Sequence, residues 1–383
     1  MNQYFATVAR GLETLAAQEL EELGAGAVSP GFCGVAFEGD RALLYKVSLW
    51  ARLPFRVLQK LHEFPCTDAK SLYDGIQTIA WQQYLSPENT LAVTATGGND
   101  QLNHTHFTAL QVKNAIVDQQ QKLLGDRSNV DTEDPDLRIN VFIDNYSICT
   151  VSLDSSGSSL HRRGYRPAVG LAPLKESLAA AMVKLSGWTP DLPFLDPLCG
   201  SGTLPLEAAM QALNIAPGLF RDRFSFERWL DFDADLLDRL IEEAEASQKS
   251  QLLAPILGSD IDSYILQQAI NNAKSCDLDR HVKFTLTDLA YVEAPADHGV
   301  LICNPPYGIR IGVGSGDPFE NPHELGSFYK LLGDTMKRRF KGWTAFVISG
   351  NPELTKAIGL KPSQKTPILN GAIPCQFLKY ELY

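Results

Sequence analysis

The chain has 383 residues, 44% apolar and 21% charged, a balance that suits a soluble globular protein of two or three domains. Its net charge of −11 argues against a protein that coats nucleic acid by bulk attraction, though not against a local basic surface. No run approaches the ~18 apolar residues of a membrane helix, and the first ten residues lack the basic head and apolar stretch of a signal peptide.

In chain order, QYFATV (3–8) predicts a short strand. Residues 11–23 place Leu12, Leu15, Ala16, Leu20 and Leu23 at helical spacing, with Gly24 as the stop. GVAFEG then predicts a strand and DRALLYKVSLWAR a helix, so that the chain up to about residue 60 reads as a small βαββα unit. Residues 68–85 predict a helical segment ending near Ser86-Pro87, residues 91–97 a strand, and residues 106–125 an amphipathic helix ended by Gly125. Two alternating runs flank Asp144-Asn145-Tyr146 within residues 137–157, a hairpin signal. Residues 1–155 thus mix α and β with antiparallel pairing.

The second half has a different rhythm. Residues 172–188 predict a helix, and 194–213 predict strand, glycine loop, helix. PILGSDID, SYILQQAINNAKSCDL, VKFTLTD and VLICNPPYG follow as strand, helix, strand, strand; then come the helix SFYKLLGDTMKRRF, the strand WTAFVISG and a C-terminal hairpin-like pair. Strands alternating with helices predict an α/β fold with a doubly wound, Rossmann-like parallel sheet behind the α+β front half, the boundary lying near residues 156–170.

The seven cysteines, at 33, 66, 149, 199, 276, 303 and 375, form no CxxC and read as reduced thiols of a cytoplasmic protein. His104 and His106 are two apart, a spacing that on a strand shares one face, but no further ligands accompany them and no metal site is expected. Two basic clusters stand out: His161-Arg162-Arg163-Gly164-Tyr165-Arg166, and Lys337-Arg338-Arg339-Phe340-Lys341. By itself the second reads as a solvated helix end.

The chemistry concentrates at strand ends. A short apolar strand feeds Asp196-Pro197-Leu198-Cys199-Gly200-Ser201-Gly202-Thr203, and a helix leaves it. The two glycines let a ligand approach the backbone. No GKS or GKT follows, so this is not a phosphate-binding P-loop, and the third glycine of the dinucleotide fingerprint is missing. The next strands end in Asp260, suited to both ribose hydroxyls, and in Asp288, suited to an adenine amine. Ribose and adenine acceptors without a phosphate cradle match S-adenosylmethionine. A fourth strand ends in Asn304-Pro305-Pro306-Tyr307-Gly308. An exocyclic amine on a base is a poor nucleophile because its lone pair is delocalised into the ring. Accepting its two hydrogens, one on the Asn304 amide oxygen and one on the Pro305 carbonyl, aims that lone pair at a methyl donor. The diproline stiffens the turn, and Tyr307 is expected to offer an exposed ring face to an unstacked base, worth roughly 1–3 kcal/mol.

DPLCGSGT, GSDID, TLTD and NPPYG, in that order, resemble class I S-adenosylmethionine-dependent amino-methyltransferases. The junction HRRGYRPAVGLAPLKESLAAAMVKLSGW and the insert NIAPGLFRDRFSFERWLDFD (within 214–253) resemble bacterial RNA guanine-N2 methyltransferases that act on 23S ribosomal RNA. The front half is similar to a ferredoxin-like segment followed by a THUMP RNA-binding domain. The resemblance implies a ferredoxin-like segment at 1–60, THUMP at 61–155, a linker at 156–171 and a methyltransferase domain at 172–383. It implies that Asp196, Cys199, Gly200, Ser201, Gly202, Thr203, Asp260, Asp288 and Asn304 hold the cofactor, that Asn304, Pro305 and Tyr307 hold the target base, and that Arg162, Arg163 and Arg166 contact RNA. The partner expected is 23S rRNA or a large-subunit precursor, with no membrane. Some members are fused to a second methyltransferase; with no second glycine-rich loop here, a second activity is not expected. A tRNA substrate, an adenine-N6 target and a non-catalytic RNA-binding assembly factor are the alternatives.

Overall fold

The computed structural model describes residues 1–166, 174–308 and 322–383. The front elements are β1 (Asn2–Thr7), α1 (Glu13–Leu23), β2 (Gly26–Gly31), β3 (Gly34–Gly39), α2 (Arg41–Trp50), β4 (Arg56–Pro65), α3 (Ala69–Gln77), β5 (Thr90–Gly97), α4 (Thr105–Leu124), β6 (Asn129–Val130), β7 (Leu137–Ile143) and β8 (Ile148–Asp154). Their strands join one sheet in the order β2-β3-β1-β4-β8-β7-β5-β6. The regular alternation of Leu137, Ile139, Val141 and Ile143 buries one face of β7. Patterning misses three strands, the shortest being the two-residue β6. β2 (GAVSPG) has little apolar content and lies at the sheet edge. β4 loses its alternation at a register shift between Lys60 and His62. Pairing is also less uniform than expected, because β5 runs parallel to β7. His104 does not lie on a strand: its Nδ1 accepts the Phe107 N–H at 3.3 Å and caps α4.

The rear elements are α5 (Glu176–Leu185), β9 (Phe194–Asp196), α6 (Thr203–Ala212), α7 (Ala234–Ala246), β10 (Ile256–Asp260), α8 (Ser263–Ser275), β11 (Val282–Leu286), β12 (Val300–Cys303), α9 (Pro322–Arg339), β13 (Thr344–Ser349), α10 (Pro352–Ala357), β14 (Gln364–Asn370) and β15 (Ile373–Glu381). Their sheet order is β11-β10-β9-β12-β13-β15-β14. β9 to β13 are parallel, and β15 runs antiparallel to β13. The whole of β12, Val-Leu-Ile-Cys, is buried, as a central parallel strand must be. From β9 the chain order runs outward to β10 and β11 on one side and to β12 and β13 on the other. That reversal opens a crevice at the carboxyl ends of β9 and β12.

Residues 1–8, 16–160 and 221–242 form one compact unit, and residues 9–15, 161–220 and 243–383 form the other. Residues 221–242 therefore belong with the front half, although they lie in sequence between α6 and β10. Aromatic packing explains this. Phe226 stacks on Tyr45 of α2 with centroids 4.3 Å apart and on Phe224 at 5.1 Å, contacts worth about 0.5–1.5 kcal/mol each beyond area burial. Arg221 donates to the carbonyls of Ser156, Ser158 and Ser159 at 3.0, 2.8 and 3.1 Å, and Arg223 and Arg228 both bind the Asp134 carboxylate.

Candidate functional site

β9 is three buried residues, Phe194, Leu195 and Asp196, flanked by β10 and β12. It delivers the glycine loop to the crevice, and the loop is tied from three sides. The Cys199 N–H bonds the Ser259 carbonyl at 2.9 Å. The Gly200 N–H bonds Asp260 Oδ2 at 2.9 Å, while Asp260 Oδ1 accepts the Asp262 N–H at 3.0 Å. Asn272, on the buried face of α8, donates its Nδ2 to the Ser201 carbonyl at 2.9 Å. Gly200 and Gly202 have φ of +53° and +84°, a region that side-chain-bearing residues seldom adopt. The two glycines serve different ends. A Cβ on Gly202 would press on Phe284 and Ala269 at 3.0–3.1 Å, whereas one on Gly200 would meet nothing within 4 Å. The backbone at Gly200 faces open space.

That space is a cavity lined by Asp196, Cys199, Gly200, Ser201, Thr203 and Asn304, with Leu174, Leu198 and Leu204 as its apolar walls. It unites six of the residues expected from the sequence. Asn304 Oδ1 is buried and has no hydrogen-bond partner among the described residues. Leaving such an acceptor unmade costs about 1–3 kcal/mol, so a donor from a bound group is the natural complement. Asp196 accepts the Leu198 N–H at 3.0 Å. Burial, with the charge of Asp260 adding to it, pushes its carboxyl well above the ordinary carboxylate range. A cationic ligand nearby offsets both effects. Asp260 sits behind the loop, and each of its oxygens keeps a second lone pair for a hydroxyl. These features fit the expected S-adenosylmethionine: open backbone at a glycine, a carboxylate at the second strand end, and unpaired acceptors toward an amine-bearing group.

Other expected residues lie elsewhere. Asp288 is half-buried, accepts the Ala290 N–H at 2.8 Å and begins a short 3-10 turn. Pro305 is buried and lies outside the cavity lining. Tyr307 does not present the exposed ring anticipated from NPPYG; it is 8% exposed, and its hydroxyl accepts the Asn370 Nδ2–H at 2.6 Å. The Asn370 partner, distant in sequence, ties the hydroxyl, so the ring is held instead of displayed. The arginine cluster divides as well. Arg163 is 2% exposed, its Nε 3.3 Å from Glu207 Oε1 of α6. Arg166 is committed to Glu176 at 2.7 Å, to the Thr203 hydroxyl at 3.0 Å and to the Leu174 carbonyl at 3.5 Å. A buried guanidinium is tolerated only when paired, as Arg163 is, and the half-buried Arg166 is committed within the chain as well. Arg162 alone of the three is exposed. At the end of α9, Arg339 pairs with Glu293 at 3.0 Å and Lys337 with Asp334 at 3.7 Å, as a solvated helix end does.

Sequence patterning also missed residues that shape the site. Asn272 is a polar residue inside the apolar stripe of Leu266, Ala269 and Ala273, which is a usable signal. Ile261 follows Asp260 and is 68% exposed, an apolar side chain left open beside the site. Asn370 had no signal, being 63 residues from its partner.

Residues 163–379 match the RMKL-like methyltransferase domain family, residues 66–154 the THUMP domain, and residues 3–58 the RlmL ferredoxin-like domain. "Putative RNA methyltransferase slr0064" of Synechocystis sp. is 56% identical over 380 residues, covering 99% of this chain and 97% of that protein. "Ribosomal RNA large subunit methyltransferase K/L" of Syntrophotalea carbinolica is 40% identical over 99% of this chain and 53% of its own length. The chain thus spans about half the length of the K/L relatives it matches. A solved structure described as "SMU.472, a putative methyltransferase complexed with SAH" superposes with a TM-score of 0.87 at 29% identity, covering 100% of this chain and 98% of that one. With its crevice, its glycine loop and these matches taken together, the chain belongs to the RMKL-like methyltransferase family, carrying THUMP and RlmL ferredoxin-like domains ahead of the methyltransferase domain.

Proposed function

We propose that this chain transfers the methyl group of S-adenosylmethionine to the exocyclic N2 amine of a guanine in 23S ribosomal RNA, free or within a large-subunit precursor. The observation that carries the reading is the buried Asn304 Oδ1, unpartnered among the described residues, which lines the same cavity as the glycine loop and Asp196. Bound there, S-adenosylmethionine supplies a methyl group on a sulfonium with a good leaving group.

The chain's own residues do the rest. Asp260 holds the ribose hydroxyls and Asp288 the adenine amine, each through lone pairs left over from its backbone hydrogen bond. Asn304 Oδ1 accepts one hydrogen of the guanine amine and the Pro305 carbonyl the other, which localises the nitrogen lone pair and orients it. Neither acceptor is basic enough to keep the proton that N2 sheds, so it passes to solvent. Fixing the two reactants side by side supplies much of the rate, since a sulfonium needs no further activation. Tyr307 supports the base from within the turn, by the little of its ring that burial leaves open, and not through an exposed face. A guanine must leave its stack to reach such a crevice, as base-modifying enzymes require in general. Arg162 contributes backbone charge, and the cytoplasm is the site of action.

RNA as the substrate is supported by the THUMP match, and large-subunit rRNA by the name of the K/L relatives. We divide the chain at 1–60, 61–155, 156–171 and 172–383, with 221–242 joined to the front half. The test is incubation of the purified protein with labelled cofactor and separated 23S rRNA and tRNA, followed by nucleoside analysis. N2-methylguanosine in 23S rRNA is the expected product. Label confined to tRNA, or recovered as N6-methyladenosine, overturns the reading.

A further inference from the structure

We propose that Asn370 is a positioning residue that fixes the ring of Tyr307 for the target base, a role that rests on Tyr307 holding the base as set out above. β15 runs antiparallel to β13, with Ser349 opposite Gln376. The chain that precedes Gln376 therefore lies beyond the carboxyl end of β13, on the same edge of the sheet where β12 ends and NPPYG begins. This chain is the tip of the β14–β15 hairpin, where Asn370 pairs with Ile373 across Gly371-Ala372. An outlying hairpin, distant in sequence from the glycine loop, thus delivers a side chain to the catalytic edge.

At that tip the Asn370 amide donates to the Tyr307 hydroxyl at 2.6 Å. The hairpin does not need this amide for itself, because its turn closes through backbone pairing of residues 370 and 373. Tyr307 is consequently held at both ends, by the stiff diproline backbone at one and by the hairpin at the other. Burial also raises the phenol to about 12, so the hydroxyl stays neutral and keeps this bond throughout the physiological range. A ring fixed in this way has its orientation set before a base arrives, and the ordering is not left to the binding step.

The experiment compares Asn370→Ala, Tyr307→Phe and the double variant, using the whole chain with 23S rRNA. Melting temperature and cofactor Kd serve as controls on folding and on the donor half of the site. Each single change removes the same bond, so each is expected to lower kcat/KM for RNA about fivefold, the size of one hydrogen bond, with cofactor Kd unchanged. In the Tyr307→Phe background, Asn370→Ala then costs nothing more, which a merely structural role in the hairpin does not predict. Losses that multiply in the double variant, or an equal loss of cofactor affinity, overturn the inference while leaving the proposed reaction standing. Absence of methylguanosine from the wild-type reaction overturns the proposed reaction and this inference with it.

Discussion

The loop from Asp196 to Thr203 and the junction from His161 to Arg166 both present chemistry-bearing side chains in close succession, yet they end in opposite states. In the loop, backbone amides and carbonyls take up Ser259, Asp260 and Asn272. Nearby, an acceptor on Asn304 is left unpaired among the described residues. In the junction, Arg163 is taken up by Glu207 and Arg166 by Glu176 and Thr203. The lesson is that a functional group is recognised by what remains unsatisfied. Charge alone does not mark a ligand site, because a buried charge has already found its partner.

That contrast makes measurable claims. Asn304→Ala is expected to reduce methyl transfer by ~10²–10³-fold, the size of losing one preorganised contact to the reacting group, with cofactor affinity nearly intact by calorimetry; equal loss of both contradicts the assignment. Glu207→Ala removes a buried ionic partner of Arg163 and is expected to cost about 3–5 kcal/mol of stability in denaturant titrations. RNA affinity per folded molecule should not change, and a weakened affinity at wild-type stability returns Arg163 to the RNA surface.

A pH effect comes from His161. Its burial, and after that the neighbouring Lys175 and the arginines at 163, 162 and 166, lowers the imidazole from 6.5 to about 4. Between those values the unfolded chain binds a proton that the folded one does not, so stability falls as pH drops through that window. Thermal melts from pH 7 to 4 check the slope, and His161→Gln should flatten it. Smallest of all, Arg162→Ala should weaken RNA binding a few-fold and lower the salt slope by about one; an unchanged slope removes Arg162 from the interface.

Much of the methyltransferase half was legible because its signals are local. The apolar runs of β10 and β12 end at Asp260 and Asn304, and turn residues mark the places where the chain leaves the sheet. The front half was harder. β2 is short of apolar residues, and β4 carries a register shift that scrambles its period. Tyr307 was misjudged for a related reason: NPPYG says where the chain turns but not that the ring is buried with its hydroxyl bound by Asn370.

The sequence by itself determined the order of strand, glycine loop and helix, the acidic strand ends and the amide-diproline turn, since periodicity and turn chemistry act over a few residues. Tertiary structure decided which charges are free and which segment joins which unit. Arg163 meets Glu207 across 44 residues, and Phe226 stacks on Tyr45 although the chain between them passes through the other unit. Burial depends on partners brought together only by folding, and desolvation then fixes whether a polar group is a structural tie or an open hand for a ligand.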